Sequence, residues 1–227
     1  MRTSLIASLL VAGFACPALA GTPAPPAAVF DLHGWKLQIP GPKEIKALAN
    51  YSSDYFYLDE NRDMCFKLDA AEHGTTPNTH YVRSELRHLL DWKVSDSHRL
   101  YGEVKVESHL TPDKVTVLQI HGITDGGENA PPFLRIAANK GDLYAVIKTA
   151  NSGDKTEAVL LKKGVNSQYV KVAVIVKAGT LSVEVNNEEK LKRSVGYWAF
   201  SNYFKAGCYP QATHGTVKVA FRKLTVQ

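Results

Sequence analysis

Tyr203-Phe204-Lys205-Ala206-Gly207-Cys208-Tyr209-Pro210-Gln211 lies late in the chain, between two runs that read as β-strands. An extended chain sends alternate side chains to opposite faces. Tyr203, Lys205, Gly207, Tyr209 and Gln211 therefore share a face with two phenols, an ammonium, an amide and nothing apolar. Each polar group on a core face would need a partner, so this face reads as wet and functional. Arg83-Ser84-Glu85-Leu86-Arg87 and Gln119-Ile120-His121 have the same character. The three stretches are expected to be strands lining one cleft.

The rest of the chain supports an all-β reading. Trp35 to Ile39 alternates and ends at Pro40-Gly41-Pro42, a strand closed by a turn, with Phe30-Asp31-Leu32 as an apolar lead-in. Tyr55 to Leu58 and Met64 to Leu68 bracket a polar turn like a hairpin. Further alternating runs are Tyr81 to Leu90, Leu100 to Leu110, Val115 to Ile123, Phe133 to Ala138, Leu143 to Lys148, Ala158 to Lys162, Tyr169 to Val176, Leu181 to Val185 and Thr216 to Val226. One short helix is expected over Lys43 to Tyr51, where Ile45, Leu48 and Ala49 have helical spacing. Gly122 to Pro132, with three glycines and two prolines, reads as a loop of lid length. Many short strands, turn signals and almost no helix predict a single all-β domain over 29–227, a β-jelly roll of two packed antiparallel sheets.

Residues 1–20 read as a signal peptide. Arg2 gives a positive start, Leu5 to Ala15 is an apolar run too short to span a bilayer, and Ala18-Leu19-Ala20 is an A-x-A site before Gly21. Residues 21–28 form a leader rich in Pro and Ala, and the protein is expected to be secreted or periplasmic. Cleavage lowers the formal net charge of +5 by the unit on Arg2. A modestly basic exported protein suits an acidic partner, and charge alone does not choose among nucleic acid, glycan and lipid. No later apolar run is long enough for a membrane helix, and no nucleic-acid-binding motif is present. Cys65 and Cys208 remain after cleavage, as a disulfide or as two thiols.

The polar-face inventory narrows the chemistry. No paired carboxylates stand out on these strands, which disfavours glycoside hydrolysis. No serine sits in a nucleophile elbow, and no metal-ligand spacing appears, so neither a metal nor a cofactor is expected. β-Elimination on a polyuronate fits. The C5 proton is α to a carboxylate, and Arg and Gln bound to that carboxylate would stabilise the enolate-like transition state. A guanidinium holds a carboxylate in bidentate fashion, which suits Arg83. His and Tyr supply a base and an acid.

In these three motifs, and in Trp35-Lys36-Leu37-Gln38-Ile39-Pro40, the chain resembles the alginate lyases of polysaccharide lyase family seven. The resemblance covers essentially the whole mature chain. It implies cleavage of alginate to leave unsaturated uronate ends, with Arg83, Gln119, His121 and Tyr209 as the catalytic group. Arg83 and Gln119 would neutralise the carboxylate. His121 would be the base and Tyr209 the acid on guluronate; on mannuronate Tyr209 would serve as both. Glu85, Arg87, Lys205 and Gln211 match positions lining the cleft, and Asn78 and Asn129 lie in loops like the family's lid loops. Glu85 is expected to position the neighbouring arginines by ion pairing. Ile120 resembles members that accept guluronate-containing blocks. The expected partner is an anionic polysaccharide acted on by a monomer, with no nucleic acid and no membrane. Two other readings stay open: a lyase for another polyuronate such as glucuronan, and a non-catalytic glycan-binding module on the same fold.

Overall fold

The structure, a computed structural model, describes residues 23–41, 43–72 and 81–227. The signal peptide read over 1–20 and the site residue Asn78 lie outside the described residues. After a 3-10 turn at Pro26–Ala28, the described residues form fifteen strands. The first five are β1 (Trp35–Ile39), β2 (Lys43–Ile45), β3 (Phe56–Leu58), β4 (Met64–Asp69) and β5 (Ser84–His88). Next come β6 (Ser97–Ser108), β7 (Lys114–Ile123), β8 (Asn129–Asn139), β9 (Asp142–Lys148) and β10 (Thr156–Lys162). The last five are β11 (Val170–Lys177), β12 (Thr180–Val185), β13 (Glu188–Ser194), β14 (Ser201–Pro210) and β15 (Thr216–Val226). They build two antiparallel sheets, of order β10-β9-β8-β7-β14-β5-β1-β2 and β13-β12-β11-β6-β15-β4-β3. This is the expected all-β jelly roll.

The core lies between the sheets and follows from the period of two. On β14, Phe204, Ala206 and Cys208 are fully buried and belong to the core, while Tyr203, Lys205 and Tyr209 take the other face. Phe204 packs against Trp92 with ring centroids 4.9 Å apart. Burying such a side chain contributes about 2 kcal/mol. β14 lies between β7 and β5, so the three polar motifs are hydrogen-bonded neighbours.

A bulge in β14 sets the site's geometry. The register with β7 shifts between Ala206 and Tyr209, so one extra residue is inserted there. Gly207 occupies the bulge at φ +148, and a Cβ on it would lie 2.6 Å from Ser84 O and 2.8 Å from Glu85 Cα. Only glycine lets β5 approach this closely. Gly207→Ala should destabilise the fold by about 3 kcal/mol through strain and overpacking. A Gly207→Ala protein that melts with the wild type would contradict this account of the bulge.

Four local expectations are corrected. Lys43 to Tyr51 is not a helix: Ile45 pairs with Leu37 of β1 after a reversal in which Gly41 has φ +76, and Leu48 drops into the core. Nine residues are too few to offset helix nucleation when a neighbouring strand offers a ladder. Phe30 and Leu32 are buried but form no strand. Gly122 to Pro132 is not a long loop. Ile123 pairs with Asn129, Thr124 N–H donates to Glu128 O at 2.8 Å, and register shifts around His121 accommodate the prolines. Finally, β13 has no counterpart among the expected strands. Five of its seven residues are charged and only Leu191 is buried, so it shows little alternation. Its signal is Asn186-Asn187, both at positive φ, a two-residue hairpin turn.

Cys65 on β4 and Cys208 on β14 are both buried free thiols in different sheets, which resolves the cysteine alternatives.

Candidate active site

Residues directly opposite each other in an antiparallel ladder project to the same side. The registers therefore draw a row across the eight-stranded sheet: Glu44, Gln38, Glu85, Gly207, with Lys205 facing Arg87 on one flank and Gln119 on the other, then Arg135 opposite Gln119. Tyr203 faces His121, and Tyr209 faces Thr116 beyond the bulge. The three motifs thus meet on one face. Arg83 precedes β5 and joins them through its side chain.

Glu85 lies beneath this floor, not on it. Its side chain is fully buried, in contact with the Lys205 ammonium and the Gln119 amide, with Arg83 Nη1 at 3.6 Å. Burial alone would raise its carboxyl pKa; the Lys205 and Arg83 charges outweigh that and hold it below the ordinary range. A carboxylate in this place positions its neighbours by ion pairing, as expected, and is itself buried below the cleft surface. Lys205 is buried as well and donates to Gln38 Oε1 at 3.0 Å. Burial lowers its ammonium to about 8, against the pull of Glu85. Gln38 in turn donates to Glu44 at 3.2 Å, and Lys36 binds Glu44 at 2.8 Å. A network of this kind fixes rotamers because each member is held by another.

His121 is oriented from two sides. Its Nδ1 lies 3.0 Å from Gly122 O and 3.1 Å from Tyr203 OH. A carbonyl only accepts, so Nδ1 carries the proton and the lone pair of the neutral ring is on Nε2. The Tyr203 hydroxyl donates onward to Asn129 Oδ1 at 3.4 Å. Tyr203 also stacks on the imidazole at 5.2 Å, and Arg87 lies 3.9 Å over the Tyr203 ring while reaching Asp91 at 3.4 Å. Burial, with the Lys205 ammonium second, lowers the His121 pKa to about 4. The ring is therefore neutral across the physiological range.

Tyr209 is the opposite case. Burial raises its phenol above the ordinary value, with the Arg83 charge opposing. The Arg83 guanidinium lies 4.3 Å over the phenol ring, and Tyr81 meets it edge-on at 6.4 Å. Gln211 is used internally: its carbonyl accepts from Thr116 at 3.0 Å and its amide donates to Tyr209 O, which ties down the backbone beyond the phenol. Arg83 and Glu85 act on both His121 and Tyr209. The floor thus presents a neutral imidazole, a protonated phenol, and a guanidinium and an amide held between them by one buried carboxylate. An arrangement of these groups has the chemistry to bind a carboxylate, accept one proton and donate another.

Of the residues read from the sequence, Arg83, Glu85, Arg87, Gln119, His121, Lys205, Tyr209 and Gln211 come together here. Asn129 stands at the first residue of β8, beside Tyr203, and not in a long lid loop. Tyr203, on the polar face but without a role in the sequence reading, orients His121. Arg135 and Lys114 lie outside the quoted motifs, and Gln38 lies within Trp35 to Pro40 without being among the expected site residues. Arg135 carries the same signal as Gln119, a polar residue between two apolar ones, Leu134 and Ile136.

Comparison with known proteins agrees with this geometry. A family described as alginate lyase matches residues 30–227. An alginate lyase of a Photobacterium species is 27% identical over 234 residues, covering 82% of this chain and 78% of that protein. Among solved structures, alginate lyase A1-II′ of polysaccharide lyase family 7 superposes with a TM-score of 0.83 at 29% identity, covering 89% of this chain and 97% of that one. A complex of the same enzyme with a substrate written GGMG gives a TM-score of 0.84 at 28% identity, covering 90% and 96%.

Proposed function

This chain belongs to the alginate lyase family, and on that premise we propose that it cleaves alginate by β-elimination, with guluronate-containing blocks as the better substrate. Arg83 and Gln119 bind the carboxylate of the reacting uronate and stabilise negative charge developing at C5. His121 Nε2 removes the C5 proton. The electron pair forms the C4–C5 double bond, the C4–O4 bond breaks, and the Tyr209 phenol protonates the departing oxygen. The product carries an unsaturated uronate at its new non-reducing end.

The observation that supports this assignment most is the opposite displacement of the two titrating groups. Burial keeps the imidazole unprotonated and the phenol protonated, which divides base from acid. Two separate groups suit the guluronate case, where proton and leaving group lie on opposite sides of the ring. The mannuronate case asks Tyr209 to serve as both, and its raised pKa works against the base role. The substrate written GGMG in the A1-II′ complex contains both letters, which is compatible with guluronate-containing blocks and does not by itself rank them. Initial rates of ultraviolet absorbance on polyguluronate, polymannuronate and glucuronan test this reading. Polyguluronate is expected to be fastest. A fastest rate on glucuronan would move the assignment to another polyuronate, and folded protein inert on all three would leave a glycan-binding module.

The pH dependence has a defined sign. His121 works as a base only when unprotonated, so kcat/KM should hold as pH falls below 6.5 and be lost through about 4. A half-loss near the ordinary histidine value would contradict the buried, neutral base. Export, with Gly21 as the first mature residue, belongs to the same proposal. Intact mass of the protein recovered outside the cytoplasm should lack residues 1–20, and their retention would overturn it.

A further inference from the structure

The cleft floor continues past Tyr209, and there the charges are unbalanced. Arg135 stands on β8 opposite Gln119, one strand further from Arg83. Lys114 begins β7 and pairs with Asn139 on β8. Both are half-buried. Neither side chain has a hydrogen bond or ion pair with any of the described residues. Burial, with the Arg135 charge second, lowers the Lys114 pKa; burial also lowers that of Arg135, with the Tyr209 phenol opposing and no carboxylate acting on it. Elsewhere on this floor the cations are compensated: Lys205 by Glu85, Arg87 by Asp91, Lys36 by Glu44. Lys114 faces Asn139, four residues along β8 from Arg135 on the same face, and two partly desolvated cations on one face without an anion among the described residues are unfavourable in the free protein. Such an arrangement fits a site completed by an anionic ligand.

We infer that Arg135 and Lys114 form a second carboxylate subsite, which holds the uronate next to the one that reacts. This rests on the alginate reading of the cleft and extends it by one sugar. Arg135 is one strand removed from Gln119, about 5 Å across the ladder. A polyuronate crossing the strands would therefore bring a neighbouring carboxylate to the guanidinium while the reacting carboxylate sits on Arg83 and Gln119. The fork of Arg135 would take that carboxylate in bidentate fashion, with the Lys114 ammonium as an added point charge. A neutral sugar at this place would leave both cations uncompensated, so the subsite selects a charged residue beside the scissile bond.

The test uses a Tyr209→Phe background, in which turnover is slowed and binding is measured directly by calorimetry with a guluronate pentamer. Adding Arg135→Met should weaken binding by about ten- to a hundredfold and reduce the salt dependence of log Kd by about one ion. Lys114→Met should act in the same direction with a smaller effect. Because neither cation has a side-chain partner among the described residues to lose, both variants should melt at or above the temperature of the parent. Unchanged pentamer affinity in both variants would overturn the subsite, and so would a fall in melting temperature without a loss of affinity, which marks a structural role. A parent that melts normally yet binds no pentamer would overturn the alginate reading itself, and the subsite with it.

Discussion

Tyr209→Phe should lower kcat on alginate by about 10²–10⁴-fold while leaving oligosaccharide affinity close to wild type. The substitution deletes one oxygen and keeps the ring. Arg83 stays 4.3 Å over that ring, and Tyr81 keeps its edge contact. The Gln211 amide still binds the main-chain carbonyl of residue 209. What is lost is the proton that the leaving oxygen needs. Without it, C4–O4 cleavage expels an alkoxide, a much poorer leaving group. The loss should appear in kcat and kcat/KM together, as expected for an interaction made in the transition state. A variant that keeps wild-type turnover would remove Tyr209 from the chemistry. A variant that raises KM alone would make it a binding residue.

The second large effect concerns a carboxylate buried beneath the cleft floor. Glu85→Ala should destabilise the protein by about 3–5 kcal/mol, because it leaves the Lys205 ammonium buried without its counter-charge. For a chain of this size that corresponds to a fall in melting temperature of roughly 10 °C. Activity should drop as well, on the order of 10²-fold, since the Gln119 amide and the Arg83 guanidinium lose the anchor that sets their spacing. The two readouts separate the roles. A melting loss with full activity per folded molecule would make Glu85 only a core ion pair. Unchanged melting would show that Lys205 finds another partner and that the network on Gln38 suffices.

The residues that proved legible in the sequence share one property: they break an apolar alternation in a run already readable as a strand. Gln119 and His121 stand out because Leu118 and Ile120 are apolar, and the structure places those two in the core. The same rule would have found Arg135 between Leu134 and Ile136. Lys114 sits at a strand end, where alternation has no second flank, so the pattern is silent. Burial within the polar face was also hidden. Glu85, Arg83 and Arg87 are equally polar as letters, yet only Glu85 falls beneath the floor, because Gly207 opposite it has no side chain and Lys205 folds over it. Tyr203 illustrates a third gap. Its function is a hydrogen bond and a ring stack to His121, eighty-two positions away. The spurious helix over Lys43 to Tyr51 and the missed β13 fail for opposite reasons: an accidental helical spacing in one, and a charged edge with a single buried residue in the other.

The most direct measurement counts two products of the same cut. Purified protein is incubated with alginate, and new reducing ends are measured beside ultraviolet absorbance from unsaturated uronate. β-Elimination predicts one unsaturated end for every new reducing end throughout the time course, in the wild type and at a reduced rate in Tyr209→Phe. Reducing ends that accumulate without absorbance would mean hydrolysis, and would contradict the roles of His121 as base and Tyr209 as acid.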